Sequence, residues 1–444
     1  FYLNGDRCGS NILAGNASLL ANKLNDLASF NSHALGKTTS RWTDKDCCAE
    51  LDDVALYHTA LTSEQVAELA RSYGLQPQGP RLPQAAQEGV YGTSRKPLTE
   101  VQGLAVLSPG GANRVRIWQD EEKRYYYSVS RNGKTVLECS ALGIMTKGAD
   151  LVSGMELDAA SIAERTGTEE YDILQGSVSH VNKKYTEKSF VLTKGSSKVT
   201  VYFRVFEDGM AYRYEVDANT ASSTEITTVT GEASEFVLPD KGDIWTIPVS
   251  QTYEGIEYTK RTVDAQYDAA QNYSTPILAS LGEDSGNAWV LLTESNVYNE
   301  ENPYCGSVFQ TETGSKAMKV LYGLYLKEET NESLDGKTYS PNYEYIQEVS
   351  RRDVFHTPWR TAVIASDLEG IVNSSLITDL NPSPEGDFSW VEPGASVWSW
   401  WSSSYDAIEY KTMQDYIDFA AEIGMKYCLV DYGWELWDDY QTKI

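Results

Sequence analysis

The chain has 444 residues, 41% of them hydrophobic and 11% aromatic, enough for about three domains with sizeable cores. It carries 64 acidic against 37 basic side chains, a formal net charge of -27. A surface of that sign repels phosphate backbones and anionic lipid, which argues against nucleic-acid and membrane partners, and no apolar run approaches the roughly 18 residues of a membrane-spanning helix.

Residues 1–75 form a first block. FYLNGDRCG opens it as a strand and tight turn around Asn4-Gly5, and AELDDVALYHTALTSEQVAELARSYG closes it. Leu51, Val54 and Leu56 suit a strand, and Thr62 with Gln65 makes the capping box of a short helix. The closing phrase resembles the final strand and helix of the laminin-G-like (concanavalin A-like) jelly roll. That resemblance implies the second half of such a domain, serving either as a carbohydrate binder or as a spacer. The six cysteines, Cys8, Cys47, Cys48, Cys139, Cys305 and Cys428, show no CxxC spacing and so do not read as a zinc site. Cys8 could bridge to Cys47 or Cys48, and Cys428 reads as a small apolar residue.

Residues 76–98, rich in Pro, Gln and Gly, read as an extended linker. From 99 to 388 the texture is of short strands: VRIWQ, YYYSVSRNGKTVLE, KVTVYFRVFEDGMAYRYEV and KVLYGLYL. Turn dipeptides at Asn132-Gly133 and Asp208-Gly209 between alternating apolar runs predict hairpins. Nearly 300 residues of this kind predict a large β-sandwich. Its many tyrosines suit half-buried strand faces better than a sugar platform.

The last block, 389–444, changes period. An apolar run at 397–401 is followed by a Ser-rich loop, a helical segment, and a second apolar run at 427–430 that ends on Asp431. Thr412 with Asp415 three residues on is an N-cap signal; Met413, Ile417, Ala420, Ala421 and Gly424 recur at helical spacing, and Gly424 suits a left-handed helix end. Strand, helix and parallel strand in this order predict the opening of a (β/α)8 barrel, with Asp431 and Trp434 past the carboxyl end of the second strand, where such barrels place their chemistry. The fold class is thus multidomain and mainly β, a jelly-roll fragment and a large sandwich followed by the start of a barrel that the chain leaves unfinished.

Six phrases together resemble glycoside hydrolase family 97, from about residue 99 to the end: DGMAYRY at 208–214, STPI at 274–277, WVLLTESNV at 289–297, TPWR at 357–360, SWVEPGASVWSWW at 389–401 and YCLVDYGW at 427–434. The resemblance implies a calcium-dependent, exo-acting α-glucosidase or α-galactosidase acting on oligosaccharides, secreted or periplasmic. It also implies that Glu294 joins barrel carboxylates in binding Ca2+, an ion that wants several hard oxygen ligands. Tyr432 stands where the family often has an acidic residue, which puts a direct role for that position in doubt.

Trp398, Trp400 and Trp401 follow at the first barrel strand. Alternation puts Trp398 and Trp400 on one face, where indoles can stack on sugar rings, with Trp434 beside them and Asp431 accepting hydrogen bonds from sugar hydroxyls. At least one tryptophan is expected only to plug an interface. Hydrolysis needs a carboxylic acid and a second carboxylate; both are expected beyond Ile444, so residues 1–444 alone are expected to be inactive. His356 reads as structural. The competing class is a non-catalytic carbohydrate-binding protein. A mutarotase-like sandwich enzyme, a third reading, would need a His–Glu pair for which only His180 is available. No phosphate loop, GxSxG elbow or HExxH helix is present, and oligomeric state is not legible.

Overall fold

The structure, a computed structural model, describes residues 98–147, 149–174, 176–216, 226–250, 256–263, 271–297, 305–311, 315–330, 340–352, 354–399, 409–431 and 434, with Tyr2, Leu3, Asp6, Arg7, Glu68 and Arg71 before them. Tyr2–Leu3 pairs antiparallel with Asp6–Arg7; the rest of the jelly-roll expectation, with Cys8, Cys47 and Cys48, lies outside the described residues. The chain divides into two units, 1–166 with 185–377, and 167–184 with 378–444.

A ten-stranded sheet lies mostly in the first unit. Its strands are β1 (Glu156–Asp172), β2 (His180–Lys194), β3 (Ser197–Phe206), β4 (Gly209–Val216), β5 (Gly242–Thr246), β6 (Thr259–Thr262), β7 (Ile277–Leu281), β8 (Trp289–Ser295), β9 (Phe355–His356) and β10 (Trp359–Ala365). Their order is β1-β2-β3-β4-β10-β8-β7-β5-β6, with β9 also on β4. Against it lie a five-stranded sheet centred on Asn113–Gln119, Tyr125–Arg131 and Lys134–Leu142, and two four-stranded sheets.

Period-2 alternation decides which side chains meet. Val115, Ile117, Tyr127 and Val129 of the five-stranded sheet share one core with Phe190, Val201, Phe203 and Tyr212 of the large sheet, and with Phe236, Phe309 and Met318 of a four-stranded one. Tyr127 is the hub. Its ring lies 5.0 Å from Tyr212 and 5.7 Å from Phe203, and its hydroxyl donates to the Glu235 carbonyl at 2.7 Å, so the one polar atom of a buried ring is satisfied. Tyr125, Tyr126, Tyr214 and Tyr273 are buried as well, and these tyrosines are core rather than a sugar platform.

The Asn132-Gly133 hairpin forms as expected. Arg131 pairs with Lys134, and Asn132 and Gly133 both take positive φ, 49° and 78°, the requirement of a tight type I′ turn. The second turn sits one residue earlier than expected. Phe206 pairs with Gly209, leaving Glu207-Asp208 as the loop, and Gly209 (φ 152°) opens the strand where β10 passes so close that an added Cβ would overlap the Ala362 carbonyl oxygen. The glycine serves strand approach, not the turn.

On the outer face of this sheet Arg204 lies over Tyr185 (4.3 Å) and Trp359 (5.0 Å), and Arg213 over Trp359 (4.3 Å). Glu187 accepts from Arg165 Nε at 2.6 Å and from Arg204 Nε at 2.9 Å. Burial pushes the Glu187 carboxyl up, but the hydrogen bond from Arg165 and the charge of Arg204 outweigh it and hold the group below its usual 4.5. A depressed folded pKa stabilises the fold above the unfolded value and loses that contribution as pH falls. Glu187→Gln is therefore expected to cost about 2 kcal/mol at pH 7. Urea titrations of the two proteins should converge as pH drops below 4.5; a gap constant with pH would contradict the assignment.

In the second unit Ser396–Trp398 (β11) pairs parallel with Tyr427–Leu429 (β12), Val397 opposite Cys428, with helix α1 (Tyr410–Ile423) between them in sequence and packed on both. The expected strand–helix–parallel strand order is thus present. Gly424 ends the helix in the left-handed region at φ 77°, as expected. Its start is not where it was expected: Glu409 is the N-cap, without a side-chain bond, and Thr412 lies inside the first turn. The buried face is also narrower. Met413 and Ala420 are buried, whereas Ile417 is 51% exposed and Ala421 is exposed too, because a two-stranded sheet covers only one stripe of the helix. β12 likewise shows Tyr427 and Leu429 to solvent, with Cys428 half-buried.

Candidate functional site

Glu294 lies within β8, directly across from Arg360 of β10, as a cross-strand pair at the end of the core. Val290, Leu292 and Glu294 alternate onto the inner face, as do Arg360, Ala362 and Ile364; the apolar members of both sets belong to the core. Arg360 Nη1 donates to Glu294 Oε2 at 2.7 Å. From the facing layer Glu232 receives the other side of the fork, Nη2 to Oε1 at 2.6 Å and Nε to Oε2 at 3.1 Å. The Arg360 and Glu232 side chains are 1% and 0% exposed and Glu294 10%. Ser307 completes the cluster: its N–H donates to Glu294 Oε1 at 2.8 Å and its hydroxyl to Oε2 at 2.7 Å.

Behind Glu232 the chain of bonds continues. Ser234 Oγ donates to Glu232 Oε2 at 2.8 Å and lies 3.0 Å from the Tyr214 hydroxyl, which accepts from the Gly143 N–H at 2.9 Å. Every carboxylate oxygen of the cluster thus accepts at least one hydrogen bond, the condition under which buried charge is tolerated. Sequence reasoning singled out Glu294 alone. Arg360 stood in the TPWR phrase without a role, and neither Glu232 nor Ser307 carries any short-range signal.

The donor set bears on the expected calcium. Glu294 Oε2 spends both lone pairs, on Arg360 and on the Ser307 hydroxyl, while Oε1 spends one, on the Ser307 N–H. One lone pair remains, so Glu294 fits a divalent cation as a single monodentate ligand and not as a bidentate one. Among the described residues no group of three or more His, Cys, Asp or Glu side chains could hold a metal ion, and the other oxygens that calcium needs would come from outside them.

The second unit holds the other sequence-derived candidates. Trp398 Nε1 donates to Asp431 Oδ2 at 2.9 Å. This bond orients the indole and occupies one carboxylate oxygen expected to serve sugar hydroxyls. Trp434 is half-buried; Trp400 lies outside the described residues. Of the histidines, His180 is an exposed partner of Asp172 at 2.8 Å. The His–Glu pair of the sandwich is instead His356–Glu215, at 3.0 Å, and Glu215 also accepts from Tyr202 at 3.0 Å. Burial, then the Arg213 guanidinium, holds the His356 imidazole below its usual 6.5.

The described residues thus form a large sandwich with a buried Glu–Arg–Glu cluster, followed in the chain by a strand–helix–parallel strand unit. The chain belongs to the glycosyl-hydrolase 97 family: the family's N-terminal domain matches residues 106–383. It is 29% identical over 326 residues to a probable retaining α-galactosidase of Streptomyces bingchenggensis, covering 71% of this chain and 45% of that protein. It is 24% identical over 358 residues to a retaining α-galactosidase of Bacteroides thetaiotaomicron, covering 74% and 50%. The chain thus spans about half the length of the curated relatives it matches. Among solved structures, a β-arabinopyranosidase superposes with a TM-score of 0.62 at 26% identity, over 75% of this chain and 51% of that one. A glycoside hydrolase family 97 enzyme from Pseudoalteromonas sp. strain K8, in complex with acarbose, shares the fold with a TM-score of 0.60 at 23% identity, over 76% and 48%.

Proposed function

We propose that the protein to which this sandwich belongs is an exo-acting glycoside hydrolase that releases α-linked sugars, galactose before glucose, from oligosaccharides with retention of configuration. The observation that carries this reading is the family match over 106–383, together with relatives named retaining α-galactosidases. Retention calls for one carboxylic acid to protonate the leaving oxygen and a second carboxylate to attack the anomeric carbon. Both groups would come from the protein outside residues 1–444, and these residues play a supporting part. Trp398, oriented by Asp431, offers an indole face to a sugar ring. Trp400 and Trp434 extend that surface, and strand–helix–strand 396–429 begins the catalytic barrel.

Calcium belongs to the same proposal, with Glu294 Oε1 as one ligand; bound there, the ion would supply positive charge beside the reacting sugar. Export to the periplasm or the medium fits an enzyme that meets oligosaccharides.

The test uses the full-length protein and follows p-nitrophenol release from α-galactoside and α-glucoside substrates, first with calcium and then with excess chelator. The expected result is turnover of the α-galactoside, lost with chelator and restored by calcium. Turnover confined to the α-glucoside would reassign the sugar, and turnover indifferent to chelator would remove calcium. Saturable glycan binding without turnover on either would replace the enzyme with a carbohydrate-binding protein.

A further inference from the structure

We infer that Arg360, Glu232 and Ser307 are positioning residues that fix the Glu294 carboxylate for a divalent cation; this rests on the proposed reading of Glu294 as a calcium ligand. Two features set the cluster apart from a structural ion pair. The first is charge. Arg360 and Glu232 already neutralise each other through a two-point fork, both buried. Adding Glu294 leaves these three side chains with a formal charge of minus one, and Glu294 is the most exposed of the three. A buried pair gains nothing from a second acid unless something compensates it, and a cation at the open oxygen does so.

The second feature is constraint. Three donors converge on one carboxylate: Arg360 Nη1, the Ser307 hydroxyl and the Ser307 N–H. Arg360 is in turn held by Glu232, and Glu232 by Ser234. The carboxylate plane cannot turn without breaking these bonds, so its one remaining lone pair keeps a fixed direction. Outer partners that orient a ligand in this way are worth about 10- to 100-fold in metal affinity.

The experiment is calcium titration by calorimetry on the full-length protein after chelator stripping, with thermal melts in chelator run in parallel. Ser307→Ala is expected to weaken calcium binding 10- to 100-fold and Ser307→Thr, which keeps the hydroxyl, to restore it. Glu232→Gln, which keeps the shape, is expected to weaken binding as well and serves as a second arm if Ser307→Ala does not fold. A purely structural role would lower the melting temperature in chelator and leave calcium affinity alone. If Glu294→Gln abolishes binding while Ser307→Ala and Glu232→Gln stay within about twofold of the wild type, the positioning role is overturned and the calcium reading survives. If Glu294→Gln binds calcium as the wild type does, or the wild type binds none, the calcium reading fails and takes this inference with it.

Discussion

Replacing Arg360 by methionine is expected to be among the most destabilising single changes in the sandwich, costing about 3–5 kcal/mol. Methionine roughly fills the volume but leaves Glu232, 0% exposed, and Glu294, 10% exposed, facing each other without the guanidinium between them. Against a total stability of about 5–15 kcal/mol for a native domain, that loss would move the urea midpoint well outside experimental error. The pairing with Glu232 makes a second check available. Adding Glu232→Gln to Arg360→Met should recover part of the loss, because the partner left uncompensated is then neutral, and residues in contact couple by about 0.5–3 kcal/mol. Strict additivity would mean that water already reaches the cluster.

Gly209→Ala is the second large effect, about 3 kcal/mol or more. The methyl would overlap the Ala362 carbonyl oxygen and stand 2.7 Å from Leu376 Cδ2 and 3.0 Å from Val363 Cα. Two of these three atoms are backbone that cannot swing aside, so β4 and β10 would separate where they pair. Overpacking alone costs about 1–3 kcal/mol, and lost ladder bonds add to it. Gly133→Ala is the control. That residue also has positive φ, 78°, but nothing lies within 4 Å of an added Cβ, so only the left-handed strain of about 1 kcal/mol remains. Comparable losses for both glycines would refute the close-approach account of Gly209.

What was legible in the chain was local chemistry. Asn132-Gly133 announced its turn because both positions need positive φ, and Gly424 announced the helix end for the same reason. At Gly209 the signal is ambiguous, because a glycine after an aspartate looks alike whether it bends the chain or lets another strand approach. Only the position of β10 distinguishes the two. The helix start is hidden in the sequence, because Glu409 carries no capping bond while Thr412, inside the first turn, has the residue type of a cap. The apolar positions Ile417 and Ala421 were legible as periodic, but how much of a helix is covered depends on what packs on it.

The site divides in the same way. Glu294 was reachable through its phrase, but its partner Arg360 comes from a strand 66 residues away, and Glu232 lies a further 62 residues before Glu294. Neither separation leaves a periodic trace. A rule that pairs strands by register would have found Arg360 opposite Glu294, while Glu232 and Ser307 required knowledge of which sheet faces which.

The strand order of the large sheet also sets the timing of its assembly. β4 finds one neighbour, β3, across a two-residue loop, but the other, β10, lies about 150 residues further along the chain. At about 5–20 residues per second, a ribosome needs about 8–30 s to supply it. Through that interval the nascent chain carries β4 as an open edge of apolar residues with unpaired backbone groups, the kind of surface that recruits other chains. The middle of the sheet is therefore the last part to close, and slower synthesis would lengthen the time that this edge stays exposed.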